Sequence, residues 1–151
     1  MTGKADFNAE EWELVLSAPP SAGLIVATAQ RGGTFRESFS IAKAYTEARQ
    51  RHEDSELLDA IVSARPEMDV KRYSSAEELD RELLQKLRDA VALVEQKATP
   101  EEAAAYKRFI VDLAERVAEA HKEGFLGLTG DRVSEAEREA IQKIKEAVGA
   151  A

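Results

Sequence analysis

The apolar positions of this chain recur with a helical period almost from end to end. Phe109, Ile110, Leu113, Val117 and Ala120 are spaced by threes and fours, which puts them on one stripe of a helix. Ile141, Ile144 and Val148 repeat the pattern in a closing helix. Ser134 stands before that helix with Glu137 three residues on, the spacing of a reciprocal cap, and Gly149 follows as its stop. Between the two arms, residues 124–133 read Gly-Phe-Leu-Gly-Leu-Thr-Gly-Asp-Arg-Val. The glycines break the helix. Phe125, Leu126 and Leu128 are expected to tuck beneath both arms as anchors.

The same reading runs through the rest of the chain. Asn8 caps a first helix, Glu11 completes its box, and Phe7 staples onto Trp12, with Val15 and Leu16 on the same face. Pro19-Pro20 is expected to end that helix, and Pro20 to open another reaching about Gln30. This second helix is apolar on most sides (Ala22, Leu24, Ile25, Val26, Ala27, Ala29), as suits the centre of a bundle. A strand over Leu24 to Val26 is the rival, but no second strand-like run exists to pair with it. After Gly32-Gly33, Thr34 and Glu37 start a helix to about His52, with Phe35, Ser38, Ile41, Ala42, Tyr45 and Ala48 on its stripe. Leu57, Leu58, Ile61 and Val62 mark a short helix ending before Pro66. Ser75 and Glu78 open a long one to about Lys97, with Leu79, Leu83, Leu87, Ala90, Val91 and Val94 inward. Thr99-Pro100-Glu101-Glu102 restarts the chain with a cap, a proline at the first helical position and acids in the first turn.

The pattern therefore predicts an all-α fold, a compact bundle of about seven helices in one domain spanning residues 1–151. A chain of 151 residues can bury a real core. The net charge of -8 argues against general nucleic-acid binding, which needs a basic footprint. With no cysteine, disulfides, thiolate metal sites and cysteine nucleophiles are excluded. Met1 to Asn8 has no apolar signal core, and the longest apolar run, Gly23 to Ala29, is too short to span a bilayer. A cytoplasmic protein without membrane insertion is expected.

An internal repeat is suggested by two stretches. Val26-Ala27-Thr28-Ala29 resembles Val117-Ala118-Glu119-Ala120, and Thr34-Phe35-Arg36-Glu37 resembles Ser134-Glu135-Ala136-Glu137. Ile41 and Ile141 each follow their glutamate by one turn. Two such helix–loop–helix units could pack about a pseudo-twofold axis; convergence of alanine-rich, capped helices is the other explanation. Here the chain resembles the TerB-like family, associated with tellurite resistance and stress in bacteria, over residues 23–49 and 116–147. The resemblance implies an all-α protein of two similar halves. It also implies a divalent cation held by an Asp-Gly turn and a later glutamate. In this sequence the first turn reads Arg31-Gly32-Gly33, with arginine where the family has aspartate, and the second reads Gly130-Asp131, in reversed order.

Candidate chemistry is sparse. Asp131, Glu135 and Glu137 could offer oxygens to a hard cation such as Ca²⁺, although acids at a helix start also serve its dipole. Arg31, Gly32, Gly33, Thr34 and Arg36 bring free N–H groups, a hydroxyl and two guanidinium groups to one turn, which suits an anion. His52 and His121 have neither a partner serine nor a second histidine at ligand spacing. Trp12, Phe35, Phe39, Tyr45, Tyr106 and Phe109 read as core. The expectation is a non-enzymatic bacterial accessory or interaction module that binds a protein partner or itself. The alternative is a helical protein that binds a small ligand, anion or cation through its glycine turns.

Overall fold

The computed structural model describes residues 4–29, 34–51, 56–64, 76–123 and 135–149. A short 3-10 turn, Lys4–Asp6, leads into α1 (Ala9–Ala29), α2 (Thr34–Arg51), α3 (Glu56–Ser63), α4 (Ala76–Lys97), α5 (Pro100–Glu123) and α6 (Glu135–Val148). The fold is all-α, with no strand among the described residues. The Leu24–Val26 stretch is helical. No described helix is long and apolar enough to cross a membrane.

The main correction is at Pro19-Pro20. The two helices expected on either side are one continuous helix, α1, with both prolines inside it. The described chain therefore has six α-helices rather than seven. A proline in a helix interior removes one donor from the ladder and crowds the carbonyl four residues back, a penalty of about 3 kcal/mol. Here tertiary packing outweighs it. Every residue from Ala18 to Val26 is buried, so this part of α1 is enclosed on all sides, as its largely apolar composition requires. Taken along its whole length, α1 packs most extensively against α4 and α5, and also against α6 and α2. Around it, α2 packs on α5 and α3, and α6 packs on α4 and α5.

The predicted stripes supply the core. Leu57, Leu58, Ile61 and Val62 of α3 are buried, as are Leu79, Leu83, Leu87, Ala90, Val91 and Val94 of α4. Phe109, Ile110, Leu113 and Val117 of α5 join them, with Ile144 and Val148 of α6. On α2, Ile41, Tyr45 and Ala48 are buried, but Ala42 is exposed and Ala44 takes the inward position. The α2 stripe is thus rotated slightly from the one assigned by spacing. The side chains of Phe35, Ser38 and Phe39 lie outside the described residues.

The helix ends follow local sequence closely. The Glu11 N–H donates to Asn8 Oδ1 at 2.8 Å, and the Asn8 N–H donates to Glu11 Oε1 at 2.9 Å. The Phe7 and Trp12 rings meet across this cap at 5.6 Å between centroids. At α5 the Glu102 N–H donates to Thr99 Oγ1 at 3.1 Å and the Thr99 N–H to Glu102 Oε1 at 3.2 Å, with Pro100 in the first helical position. Gly149 closes α6 with φ +75°, a conformation that costs glycine nothing. Thr99→Ala removes the hydroxyl acceptor and should lower stability by about 1 kcal/mol, measured by urea denaturation. Residues 124–134, including the expected anchors Phe125, Leu126 and Leu128 and the cap Ser134, lie outside the described residues.

Candidate functional site

The residues singled out by sequence fall in two places. Of the metal set, Glu135 is the first residue of α6 and exposed, while Glu137, two positions on, is 3% exposed. Their side chains leave the helix in different directions. Asp131 lies outside the described residues. Among the described residues no group of three metal-ligating side chains forms. Of the anion set, Thr34 and Arg36 belong to the first turn of α2. Their side chains, with Arg31, Gly32 and Gly33, lie outside the described residues, as does His52. His121 is in the last turn of α5.

A feature that spacing did not reveal lies in the core, where α1, α2 and α5 meet. Pro19 has no N–H to give to the Val15 carbonyl, its partner one turn back. The Tyr106 hydroxyl of α5 takes that role, donating to the Val15 carbonyl at 2.7 Å within the core. Beside it, the Ser21 hydroxyl donates to the Ser17 carbonyl at 2.7 Å and the Ser17 hydroxyl to the Leu14 carbonyl at 2.9 Å. Short hydroxyl side chains satisfy backbone carbonyls locally in this way. Tyr106 is wholly buried, and desolvation pushes its ionisation well above the usual tyrosine range, with neighbouring Tyr45 adding to the shift. The hydroxyl thus stays protonated and able to donate.

Tyr45 of α2 occupies the same junction. Its ring meets Phe109 edge-on, centroids 5.4 Å apart at 66°. It is 1% exposed, and its hydroxyl has no hydrogen-bond partner among the described residues. Burial pushes its ionisation far upward, and the charge of Arg49 one turn on opposes this only in part. Arg49 itself donates through Nε to the Val62 carbonyl of α3. The signal available in the sequence is Tyr106, three residues before Phe109 on the same face of α5, whose polar tip needs a partner. That partner, the Val15 carbonyl, lacks its helical donor only because α1 runs on through Pro19.

Ion pairs tie the outer surfaces together. Lys97 of α4 reaches Glu11 at 2.9 Å and the Asp6 carbonyl at 3.2 Å, and stands 5.6 Å from the Phe7 ring centroid. The backbone N–H of Asn8, and secondarily Lys97, hold the Glu11 carboxyl below its usual value. Arg116 of α5 pairs with Glu47 of α2, and Lys107 with Glu95 at 2.9 Å. Asp80 of α4 behaves oppositely: desolvation raises its pKa above 3.8, with Lys143 of α6 offsetting part of the rise. A carboxyl with a raised folded pKa favours the folded state most below its unfolded pKa and loses that contribution as pH rises through the folded value. Asp80→Asn should therefore melt higher than the wild-type protein at pH 7. The difference should vanish as the pH is lowered below the ordinary aspartate pKa, which thermal melts across that range would check.

No family model matches this chain, and no curated protein or solved structure matches it significantly.

Proposed function

We propose that this protein is a non-enzymatic accessory module that works through its surface, engaging a protein partner or a second copy of itself. The supporting observation is how the buried polar groups of the α1–α5 junction are used. Tyr106 and Ser21 donate to α1 carbonyls, and Glu102 caps α5. Such groups, fixed by the backbone, serve the fold rather than a reacting substrate. The TerB-like relationship, a bacterial stress role and a cytoplasmic location belong to the same proposal. So does a duplication relating α1–α2 to α5–α6; the inward placement of Val26, Val117 and Ala118 fits it.

The alternative is a small-ligand, anion or divalent-cation-binding protein that uses the glycine turns. The buried Tyr45 hydroxyl, without a hydrogen-bond partner among the described residues, is the observation on its side. Native mass spectrometry of the purified protein separates the two. A bare chain or a defined protein assembly, unchanged by millimolar Ca²⁺, is the expected result. A stoichiometric small-molecule or metal adduct would replace the first reading with the second.

A further inference from the structure

The junction of α1, α2 and α5 gathers three polar groups inside an apolar core. The Val15 carbonyl has two lone pairs and has lost its helical donor to Pro19. The Tyr106 hydroxyl spends its proton on that carbonyl at 2.7 Å and keeps acceptor capacity. The Tyr45 hydroxyl is buried and has no partner among the described residues. Tyr45 and Tyr106 belong to the same place in the fold. Phe109 lies three residues beyond Tyr106 on α5, so the two share a face, and Phe109 is the residue that meets the Tyr45 ring. One turn before Tyr45, Ile41 packs directly over Gly23 of α1. A hydroxyl left unsatisfied in such surroundings is costly, and native cores resolve the cost with a partner or an ordered water.

We propose that the Tyr45 hydroxyl holds one internal water molecule, which it shares with the Tyr106 hydroxyl at the α1–α2–α5 junction. The water accepts from or donates to Tyr45 and reaches the free acceptor of Tyr106, extending the chain that ends on the Val15 carbonyl. The junction then carries a continuous hydrogen-bonded network across three helices. Water is the ligand class that fits, because the groups that converge here are hydroxyls and a carbonyl, while Arg49, one turn from Tyr45, is engaged with the Val62 carbonyl of α3.

Oxygen-17 water relaxation dispersion of the wild-type protein and Tyr45→Phe provides the test, since that variant keeps the ring and removes only the hydroxyl. The variant is expected to lose the dispersion amplitude of about one long-lived water. Its denaturation midpoint is expected to fall. In the wild-type protein, the Tyr45 ring protons should show cross-relaxation with a long-lived water, a measurement that does not depend on the variant folding. Unchanged dispersion amplitude in Tyr45→Phe, a raised midpoint, or no such cross-relaxation in the wild-type protein would overturn the proposal.

Discussion

Tyr106→Phe should destabilise this protein by about 2 kcal/mol, a large effect for one oxygen atom. The change preserves the ring and its packing. It removes the hydroxyl that donates to the Val15 carbonyl, a buried group that has lost the N–H of residue 19 to proline. Leaving a buried carbonyl unsatisfied costs roughly 1–3 kcal/mol, more than the net worth of an ordinary hydrogen bond. The cause can be isolated with a second substitution. Pro19→Ala restores an N–H one turn after Val15, so the helix can satisfy that carbonyl itself. In the Pro19→Ala background, Tyr106→Phe should cost no more than about 0.5 kcal/mol, giving a coupling energy of about 1–2 kcal/mol between residues distant in sequence. Urea denaturation of the four proteins measures it. Equal costs of Tyr106→Phe in both backgrounds would mean that the hydroxyl does not substitute for the missing N–H.

Gly23→Val should lower the stability of this protein by about 3 kcal/mol or more. A Cβ built at Gly23 would lie 2.7 Å from Ile41 Cδ1, 3.0 Å from Ile41 Cγ1 and 3.3 Å from Val117 Cγ2. Ile41 and Val117 are themselves buried, 1% and 0% exposed, so neither can swing out to solvent. Added methyl groups in a filled core force side chains off their rotamers and move backbone, typically costing about 1–3 kcal/mol. Alanine is the informative intermediate. It gains about 1 kcal/mol of helix propensity over glycine, yet its Cβ meets the same contacts. The net expectation is a loss of about 1 kcal/mol for Gly23→Ala. Trimming the obstruction should reverse the sign of that change: Ile41→Val removes the atom at 2.7 Å, and Gly23→Ala in that background should be neutral or stabilising. Thermal and urea denaturation of the set would check the order. A stabilising Gly23→Ala in the unmodified protein would contradict a tight crossing at this glycine.

The local signals in the sequence were sufficient wherever a helix end or face is decided by neighbours within one turn. The reciprocal caps of Asn8 with Glu11 and Thr99 with Glu102, the Phe7–Trp12 staple and the Gly149 stop all involve residues a few positions apart. Their energies are set before any tertiary contact forms. The same holds for the apolar stripes of α3, α4 and α5, since a 3.6-residue period fixes which side chains share a face. The all-α class follows from those signals. At Ala42 and Ala44 the pattern was ambiguous, because alanine on a helix flank is compatible with either side.

Only tertiary structure decided what happens at Pro19. Locally, two prolines remove two donors, and the expected response is a break. The helix continues because residues 18–26 are enclosed by neighbouring helices and because a hydroxyl from α5, distant in sequence, reaches one of the two carbonyls that lose a donor, that of Val15. Neither circumstance leaves a trace within one turn of the prolines. The value of Gly23 is similarly non-local, since it comes from side chains on two other helices. The sequence by itself determined that helices form, where most of them start and stop, and which faces they bury. Which helix is central, and which polar atoms complete its broken ladder, depended on long-range packing, because the energies that outweigh a proline come from surfaces that meet only in the folded chain.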